Sequence, residues 1–173
     1  MFSVLVIQLA KISGFSPIIT TASIKHTKAL KGFGADAVLS RDLSTDELKQ
    51  EILKHTTKPI TLIYDAVSLD STQRTAVDLL APNGALVTTL PDVIGELDQG
   101  KTSIRVWGIL RLEQNVVLLE DFFHERISGW VENGLIQVRI SYPLCTNLTD
   151  IFSPIAWKPF QMVCWEFLMA WVG

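Results

Sequence analysis

The sequence of 173 residues predicts an α/β fold built on a doubly wound parallel sheet. Three observations predict it. Segments with strand character alternate with segments of helical period from residue 6 to residue 137. Residues 60–67 are apolar on both faces, as a central parallel strand is. Glycines stand where helical patterns stop, and strands separated by helices in this rhythm imply right-handed crossovers.

The first part of the chain predicts two helices around a short strand. Apolar residues at helical spacing predict a helix from about residue 6 that ends at Gly14. Residues 17–21 are rich in β-branched side chains and predict a buried strand. Residues 24–33 predict a second helix, which Gly34 terminates. Its lysines are expected to face solvent and its apolar residues the core: Lys25, Lys28 and Lys31, against Ala29, Leu30 and Phe33.

A second strand and a third helix follow. Residues 37–39 predict a short strand. Ser44 and Glu47 have the spacing of a capping box, in which the two residues satisfy amides at the start of a helix. The helix that they begin is expected to run to about His55.

The apolar strand at 60–67 is followed by a helix over 71–80, which residues 82–84 close. Residues 85–90 predict another strand. The next predicted element is an amphipathic helix over about 113–132, which Asn133 and Gly134 terminate. Its buried face is expected to contain Val116, Val117, Leu119, Phe123, Ile127 and Trp130.

The pattern changes after Gln137. Prolines and tryptophans there interrupt any regular period: Pro143, Pro154 and Pro159, and Trp157, Trp165 and Trp171. We therefore divide the chain into an incomplete α/β domain, residues 1–137, and a divergent, irregular apolar tail, residues 138–173.

Composition excludes several classes of protein. The chain is 48% hydrophobic, and its 15 basic residues are dispersed within a formal net charge of -3, which argues against a nucleic-acid partner. Cys145 and Cys164 have no metal-ligand spacing, which argues against a disulfide framework or a zinc site. The apolar segment 160–173 is too short to span a bilayer, and the first residues lack a signal-peptide pattern. A soluble protein of the cytoplasm is expected.

The best candidate for chemistry lies after the strand at 17–21. In a dinucleotide-binding sheet, an acidic residue at this strand tip binds the ribose hydroxyls of NAD. Here Ser23, Lys25 and His26 offer a hydroxyl, an ammonium and an imidazole instead, which suit the extra phosphate of NADP. The alternative interpretation is that Ser23 caps the helix and Lys25 is a solvated surface charge.

Other features of a reductase are not apparent in the sequence. No glycine-rich turn precedes the first helix, and the strand expected between residues 17–21 and 60–67 is missing, so both would lose a ladder partner. His26, His55 and His124 are expected at the surface. Asp65 either lines a cofactor site or binds a nearby loop amide. No nucleophile elbow or carboxylate pair stands out, so the catalytic residues are unknown.

Several motifs resemble one known family. These are residues 7–15, 17–23 and 34–38, then 64–68, 83–85 and 129–136. Their order resembles the cofactor domain of medium-chain dehydrogenase/reductases, and specifically the fungal trans-acting enoyl reductases that accompany polyketide synthases. The similarity covers about residues 7–137, which would then form a partial NADP-binding, Rossmann-like domain.

The resemblance implies hydride transfer from NADPH to the β-carbon of an α,β-unsaturated thioester on an acyl carrier or polyketide synthase. It implies that Ser23, Ile24, Lys25 and His26 form the loop for the 2′-phosphate. Leu90 corresponds to a position near the nicotinamide. Arg41 stands where the family commonly has a tyrosine beside the adenosine, and a guanidinium also stacks or pairs with phosphate. No metal is implied.

Three departures from the family leave alternatives open. The amino-terminal substrate domain and the phosphate-binding turn have no counterpart here, and the tail after Gln137 is unrelated. A truncated gene or an altered reading frame is one hypothesis for both breaks, and the fragment would then be inactive. A second interpretation is a non-enzymatic subunit that associates with a polyketide synthase through its apolar tail. A third is a quinone reductase or alcohol dehydrogenase-like relative without a thioester substrate.

Overall fold

The computed structural model describes residues 2–106, 112–137 and 168–172. Helices and strands alternate through the first range, as predicted. The elements are α1 (Phe2–Ile12), β1 (Ile18–Ala22), a 3-10 turn (Ile24–His26), α2 (Thr27–Phe33), β2 (Ala37–Ser40), α3 (Thr45–Leu53), β3 (Ile60–Asp65), α4 (Asp70–Leu79), β4 (Ala85–Thr88), β5 (Thr102–Arg105), α5 (Glu113–Glu120), a π-helical segment (Asp121–Arg126), α6 (Ile127–Glu132) and β6 (Leu168–Val172).

The strands form one six-stranded sheet in the order β2-β1-β6-β3-β4-β5. Neighbouring strands are parallel in the β1–β2, β3–β4 and β4–β5 pairs. Strand β6 is antiparallel to both β1 and β3. The predicted doubly wound, Rossmann-like α/β fold is therefore confirmed, with one antiparallel strand in the middle of the sheet.

Two apolar layers cover the two faces of the sheet. On one face α1 and α2 pack on the sheet through a cluster that includes Ile7, Ile18 and Leu30. On the other face α3 and α4 pack through a cluster that includes Leu48 and Ile63. Because helices cover both faces of the sheet, β1 is buried along its whole length.

Local signals in the sequence start and stop these helices. Gly14 and Gly34 have positive φ angles of 81° and 118°, which glycine adopts without steric cost, and they follow the ends of α1 and α2. Ser44 and Glu47 form the predicted capping box: the Ser44 amide donates to Glu47 Oε2 at 2.8 Å, and the Glu47 amide donates to Ser44 Oγ at 3.4 Å. The Ser44 amide, and secondarily the Ser44 hydroxyl at 2.7 Å, donate to the Glu47 carboxylate and lower the pKa of Glu47.

Three predictions about elements need correction. Strand β5 is not recognised in the sequence, because it has only four residues and none of them is buried. Ala29 is exposed rather than inward, since the short helix α2 buries only Leu30. The apolar residues between 113 and 132 do not form a buried face: Val117 is 74% and Phe123 is 55% exposed. The reason is that no described element packs closely over them.

The carboxyl-terminal segment contributes the strand that sequence analysis did not foresee. Leu168–Val172 forms β6, and its backbone lies between β1 and β3. The expectations for residues 138–167, which include both cysteines and two of the tail tryptophans, lie outside the described residues. The division of the chain at Gln137 stays a prediction. No helix among the described residues is long and apolar enough to cross a membrane.

Candidate functional site

The parallel strands end at one edge of the sheet, and the candidate residues follow two of these ends. Strand β1 ends at Ala22, and the chain turns at once into the 3-10 turn Ile24–His26. The turn is closed by the His26 amide, which donates to the Ser23 carbonyl at 2.9 Å. The Thr27 hydroxyl donates to the Ile24 carbonyl at 2.7 Å. The predicted phosphate loop is therefore a compact turn directly at the strand tip.

The structure tests the alternative interpretation of Ser23. Ser23 precedes the 3-10 turn with extended backbone angles, but its side chain makes no capping hydrogen bond. The Ser23 hydroxyl thus does not cap the 3-10 turn. Lys25 is exposed, and His26 is half-buried.

Strand β2 brings Arg41 beside this turn. The register pairs Ala22 with Ser40, and the Arg41 amide donates to the Ala22 carbonyl at 3.2 Å. The Arg41 side chain is 40% exposed, and its Nε lies 3.9 Å from a carboxylate oxygen of the more exposed Asp42. Such a long, exposed ion pair is weak.

The structure brings five of the six predicted cofactor residues together. Ser23, Ile24, Lys25, His26 and Arg41 follow the adjacent ends of β1 and β2. No carboxylate follows β1 directly, as the sequence indicated. The sixth residue, Leu90, follows β4 on the other side of β6 and is 47% exposed.

A buried polar network holds the ends of β3 and β4, and sequence analysis did not find it. Asp65 is fully buried, and its Oδ1 accepts hydrogen bonds from the Val67 and Ser68 amides at 2.9 and 2.8 Å. The Thr72 hydroxyl donates to Asp65 Oδ2 at 2.6 Å. Burial raises the pKa of Asp65, and these three hydrogen bonds oppose that rise. Of the two roles considered for Asp65, the structure shows the binding of loop amides.

The network continues across to the loop after β4. The Ser68 hydroxyl accepts from the Thr89 amide at 2.8 Å. The buried Gln73 amide nitrogen donates to the carbonyls of Ser68 and Pro91 at 2.9 and 3.0 Å. Leu90 lies between two residues that are anchored in this way. The sequence signal is limited to the small polar residues Ser68, Asp70, Ser71 and Thr72, and such residues are too common in turns to be diagnostic.

The remaining candidates are one tyrosine and two histidines. Tyr64 is half-buried and packs against the cluster below α1; burial, and secondarily the charge of Asp65, raise its pKa. His55 and His124 are exposed, as predicted. Among the described residues no group of three or more His, Cys, Asp or Glu side chains is placed to hold a metal ion.

The sequence of this chain matches the model of one protein family. The model of the family described as zinc-binding dehydrogenase matches residues 3–105, which is more than half of the chain. The chain belongs to this family of oxidoreductases. The expected medium-chain dehydrogenase/reductase cofactor domain is thereby confirmed, whereas membership of the fungal trans-acting enoyl reductases stays a prediction. The described residues do not fit the metal in the family's name, so no chemistry is assigned through zinc.

Solved structures share the fold of this zinc-binding dehydrogenase domain. Quinone oxidoreductase from Escherichia coli, complexed with NADPH, has a TM-score of 0.60 and 20% identity over 80% of this chain and 44% of its own. The nucleotide-binding subdomain of the enoylreductase domain of PpsC from Mycobacterium tuberculosis has a TM-score of 0.54 and 22% identity over 76% of each chain. The CurK enoyl reductase has a TM-score of 0.57 and 15% identity over 78% of this chain and 41% of its own.

This domain spans less than half of the quinone oxidoreductase and of the CurK enoyl reductase. No curated protein sequence is similar enough to count as a relative. The donor set at the ends of β1 and β2 fits a dinucleotide with an added phosphate, since it combines a hydroxyl with cationic groups. The glycine-rich turn that cradles the pyrophosphate in such folds is not among the described residues.

Proposed function

We propose that this domain is the NADPH-binding part of an enoyl reductase-like oxidoreductase. Its substrate would be an α,β-unsaturated polyketide thioester in fungal secondary metabolism, held on an acyl carrier or a polyketide synthase. The observation that carries the proposal is the position of Ser23, Lys25, His26 and Arg41 at two adjacent strand ends. The family match and the motifs that resemble trans-acting enoyl reductases support it.

Charge and geometry favour NADPH over NADH. The 2′-phosphate of NADPH would lie at the tip of β1, where Lys25 and Arg41 supply positive charge and Ser23 supplies a hydroxyl. A carboxylate at this tip would repel the phosphate, and none follows β1 directly. Ile24, which is 56% exposed, offers an apolar surface beside the adenosine.

The nicotinamide ring supplies the hydride when the cofactor is bound. The chain's own contribution at that end is positional. Thr89 and Pro91 are fixed by hydrogen bonds to Ser68 and Gln73, and they hold Leu90 at the carboxyl edge of the sheet. A rigid loop there would orient the ring and exclude water from one side of it. The groups that bind the thioester and protonate the α-carbon are not assigned.

A second function is favoured by one observation. Helix α5 and the π-helical segment that follows it leave apolar side chains exposed, among them Val117, Leu118 and Phe123. Exposed apolar surface of this kind is typical of binding faces. The alternative proposal is therefore a non-enzymatic subunit that associates with a polyketide synthase.

NADPH and NADH titrations of the purified chain, followed by nicotinamide fluorescence, test the first proposal. We expect saturable binding of NADPH and weaker binding of NADH. Lys25→Ala and Arg41→Ala should each weaken NADPH binding about 10-fold or more and leave NADH binding unchanged, because a charge-assisted hydrogen bond contributes about 1.5–3 kcal/mol.

Lys28→Ala is the matched control, since it removes another exposed lysine, from α2, three residues beyond Lys25. It should leave both affinities unchanged. Equal affinity for the two dinucleotides, or equal losses in Lys25→Ala and Lys28→Ala, would contradict the assignment of the phosphate loop. No binding of either dinucleotide would favour the non-enzymatic subunit.

A further inference from the structure

A cavity of about 380 Å³ lies at the amino edge of the sheet, where β1 and β2 begin. The loop from α1 to β1 forms one wall, and the loop from α2 to β2 forms the other. The candidate cofactor turn follows the opposite end of β1, roughly 15 Å away. The cavity is therefore separate from the candidate cofactor site. Among the residues that line it are Lys11, Phe15, Ser16, Lys31, Gly34 and Asp36.

Two lysines give the cavity a positive charge. Lys11 and Lys31 are exposed, and each stands in the last turn of its helix, α1 or α2. Neither ammonium group has an ion-pair partner among the residues that the structure describes. Both charges are thus accessible to an anion that enters the cavity.

A glycine makes room for one of these lysines. A Cβ atom on Gly34 would lie 2.6 Å from Lys11 Cδ, which is closer than such atoms approach in proteins. Gly34 also has a φ angle of 118°, which favours glycine. The stem of Lys11 therefore lies directly over the loop from α2 to β2, so that α1 and α2 each contribute a cation to the same cavity.

Hydrogen bonds within the two loops already use their backbone amides. The Phe15 and Ala35 amides donate to carbonyls in the last turns of α1 and α2, each at 3.1 Å. The Ile18 amide donates to Asp36 Oδ2 at 2.6 Å, and the Asp36 amide donates to the Ile18 carbonyl at 2.8 Å. These bonds fix the walls of the cavity. The donors that a ligand would meet are side-chain groups: the two lysine ammonium groups and the hydroxyl of the exposed Ser16.

This donor set suits a phosphate monoester. A phosphate dianion accepts charge-assisted hydrogen bonds from two ammonium groups at once, and lysine binds it as a point charge. The half-buried Phe15 provides an apolar surface for the organic part of the ligand. The volume falls within the range of small-molecule pockets, about 300–1,000 Å³. Because the Asp36 carboxylate offsets one of the two positive charges, a single phosphate fits the site better than a polyphosphate.

We propose that this cavity binds a small phosphate monoester, with the phosphate between Lys11 and Lys31 and the organic group against Phe15. The proposal concerns the amino edge and does not depend on whether NADPH binds at the other edge. The alternative is that the two lysines only stabilise their helices, since a cation in the last turn interacts favourably with the helix dipole. That role predicts an effect on stability and none on ligand binding.

Phenyl phosphate is the probe, because it joins one phosphate to one aromatic ring. It is titrated into the isotopically labelled full chain, and the amide chemical shifts are followed by NMR. We expect saturable shifts at Gly14, Phe15 and Gly34. Inorganic phosphate should shift the same amides with about 10-fold lower affinity, since it has no ring to pack on Phe15. Phenol, which has no charge, should cause no saturable shift.

Charge variants test the two lysines. Lys11→Met and Lys31→Met remove the charges and keep the aliphatic stems, and each should weaken the binding of phenyl phosphate about 5-fold or more. Asp36→Asn keeps an acceptor for the Ile18 amide and removes a negative charge, so it should strengthen binding about 2-fold. Lys28→Met is the matched control, because this exposed lysine of α2 does not line the cavity. It should leave binding unchanged.

Three results would overturn the proposal. The first is the lack of any saturable shift with phenyl phosphate. The second is a set of shifts confined to residues 24–26 and 41, since phosphate would then bind only at the candidate cofactor site. The third is unchanged affinity in Lys11→Met and Lys31→Met together with lower thermal stability, which would assign both lysines to their helices alone.

Discussion

The two halves of the carboxyl edge are built differently. After β3 and β4, the loops are tied together by buried hydrogen bonds that converge on Asp65, Ser68 and Gln73. After β1, local hydrogen bonds close the turn, and Lys25 and Arg41 are exposed. In the β3–β4 half, buried polar side chains bind the backbone of the chain, whereas in the β1–β2 half two cationic side chains are exposed.

This difference separates structural from ligand-binding roles. A buried polar group whose bonds are satisfied within the chain has little capacity left for a ligand. Exposed cationic groups at the ends of two adjacent strands are accessible to an anionic ligand. Substitutions in the β3–β4 half should therefore change folding, and those in the β1–β2 half should change binding.

The largest expected effect is at Asp65. Asp65→Ala leaves the amides of Val67 and Ser68 without their acceptor, and we expect a loss of about 3 kcal/mol in the free energy of unfolding, because each buried unsatisfied donor costs about 1–3 kcal/mol. Asp65→Asn keeps an acceptor for both amides and should retain most of the stability. Urea denaturation followed by circular dichroism measures both. Equal losses in the two variants would show that the acceptor is not what matters.

The next effect is at Gly84, where β4 begins. A Cβ atom there would lie 2.7 Å from Leu80 Cγ and 2.9 Å from the Ala81 carbonyl oxygen. Gly84→Ala should cost about 1–3 kcal/mol, since the packed neighbours must move. Gly32→Ala is the matched control in α2 of the other half, because no atom lies within 4 Å of its Cβ. That variant should gain about 0.5–1 kcal/mol. A neutral Gly84→Ala would show that Leu80 and the Ala81 carbonyl move aside without a cost in stability.

A smaller effect should appear in the pH dependence. Burial raises the pKa of Asp65 above its ordinary value of 3.8, so the folded chain binds this proton more tightly than the unfolded chain does. Stability from this group is thus fully present below that ordinary value and is lost as the pH rises through the raised one. Relative to Asp65→Asn, the native chain should become less stable as the pH rises from below 4 toward neutrality. Glu47 and Asp70 titrate with the opposite sign, but they are common to both proteins and cancel.

Much of the fold could be predicted because its signals are local. The capping box at Ser44 and the glycine stop at Gly34 act within one turn of helix, and the structure contains both. The turn after β1, which is the candidate phosphate loop, could be placed at a strand tip because β1 and the turn are contiguous in sequence. Strand β5 could not be found, since four residues with alternate exposure carry little periodic signal.

The network around Asp65 and the place of β6 depend on distant residues. Thr89 is 21 residues from Ser68, and nothing in either segment alone indicates that they bond. Strand β6 pairs with segments more than 100 residues away, and its five apolar residues fit a strand in any register. The position of β6 depends instead on which backbone groups of β1 and β3 need hydrogen-bond partners.

The smallest effects compare two serines that precede helical turns in the β1–β2 half. Ser44 caps α3 through its side chain, and Ser44→Ala should cost about 1 kcal/mol. Ser23 makes no capping bond, so Ser23→Ala should change the free energy of unfolding by less than about 0.5 kcal/mol. If the Ser23 hydroxyl instead binds the 2′-phosphate of NADPH, the same substitution should weaken NADPH binding and leave the affinity for NADH unchanged. A loss of stability at Ser23 equal to that at Ser44 would assign it to the helix and remove it from the cofactor site.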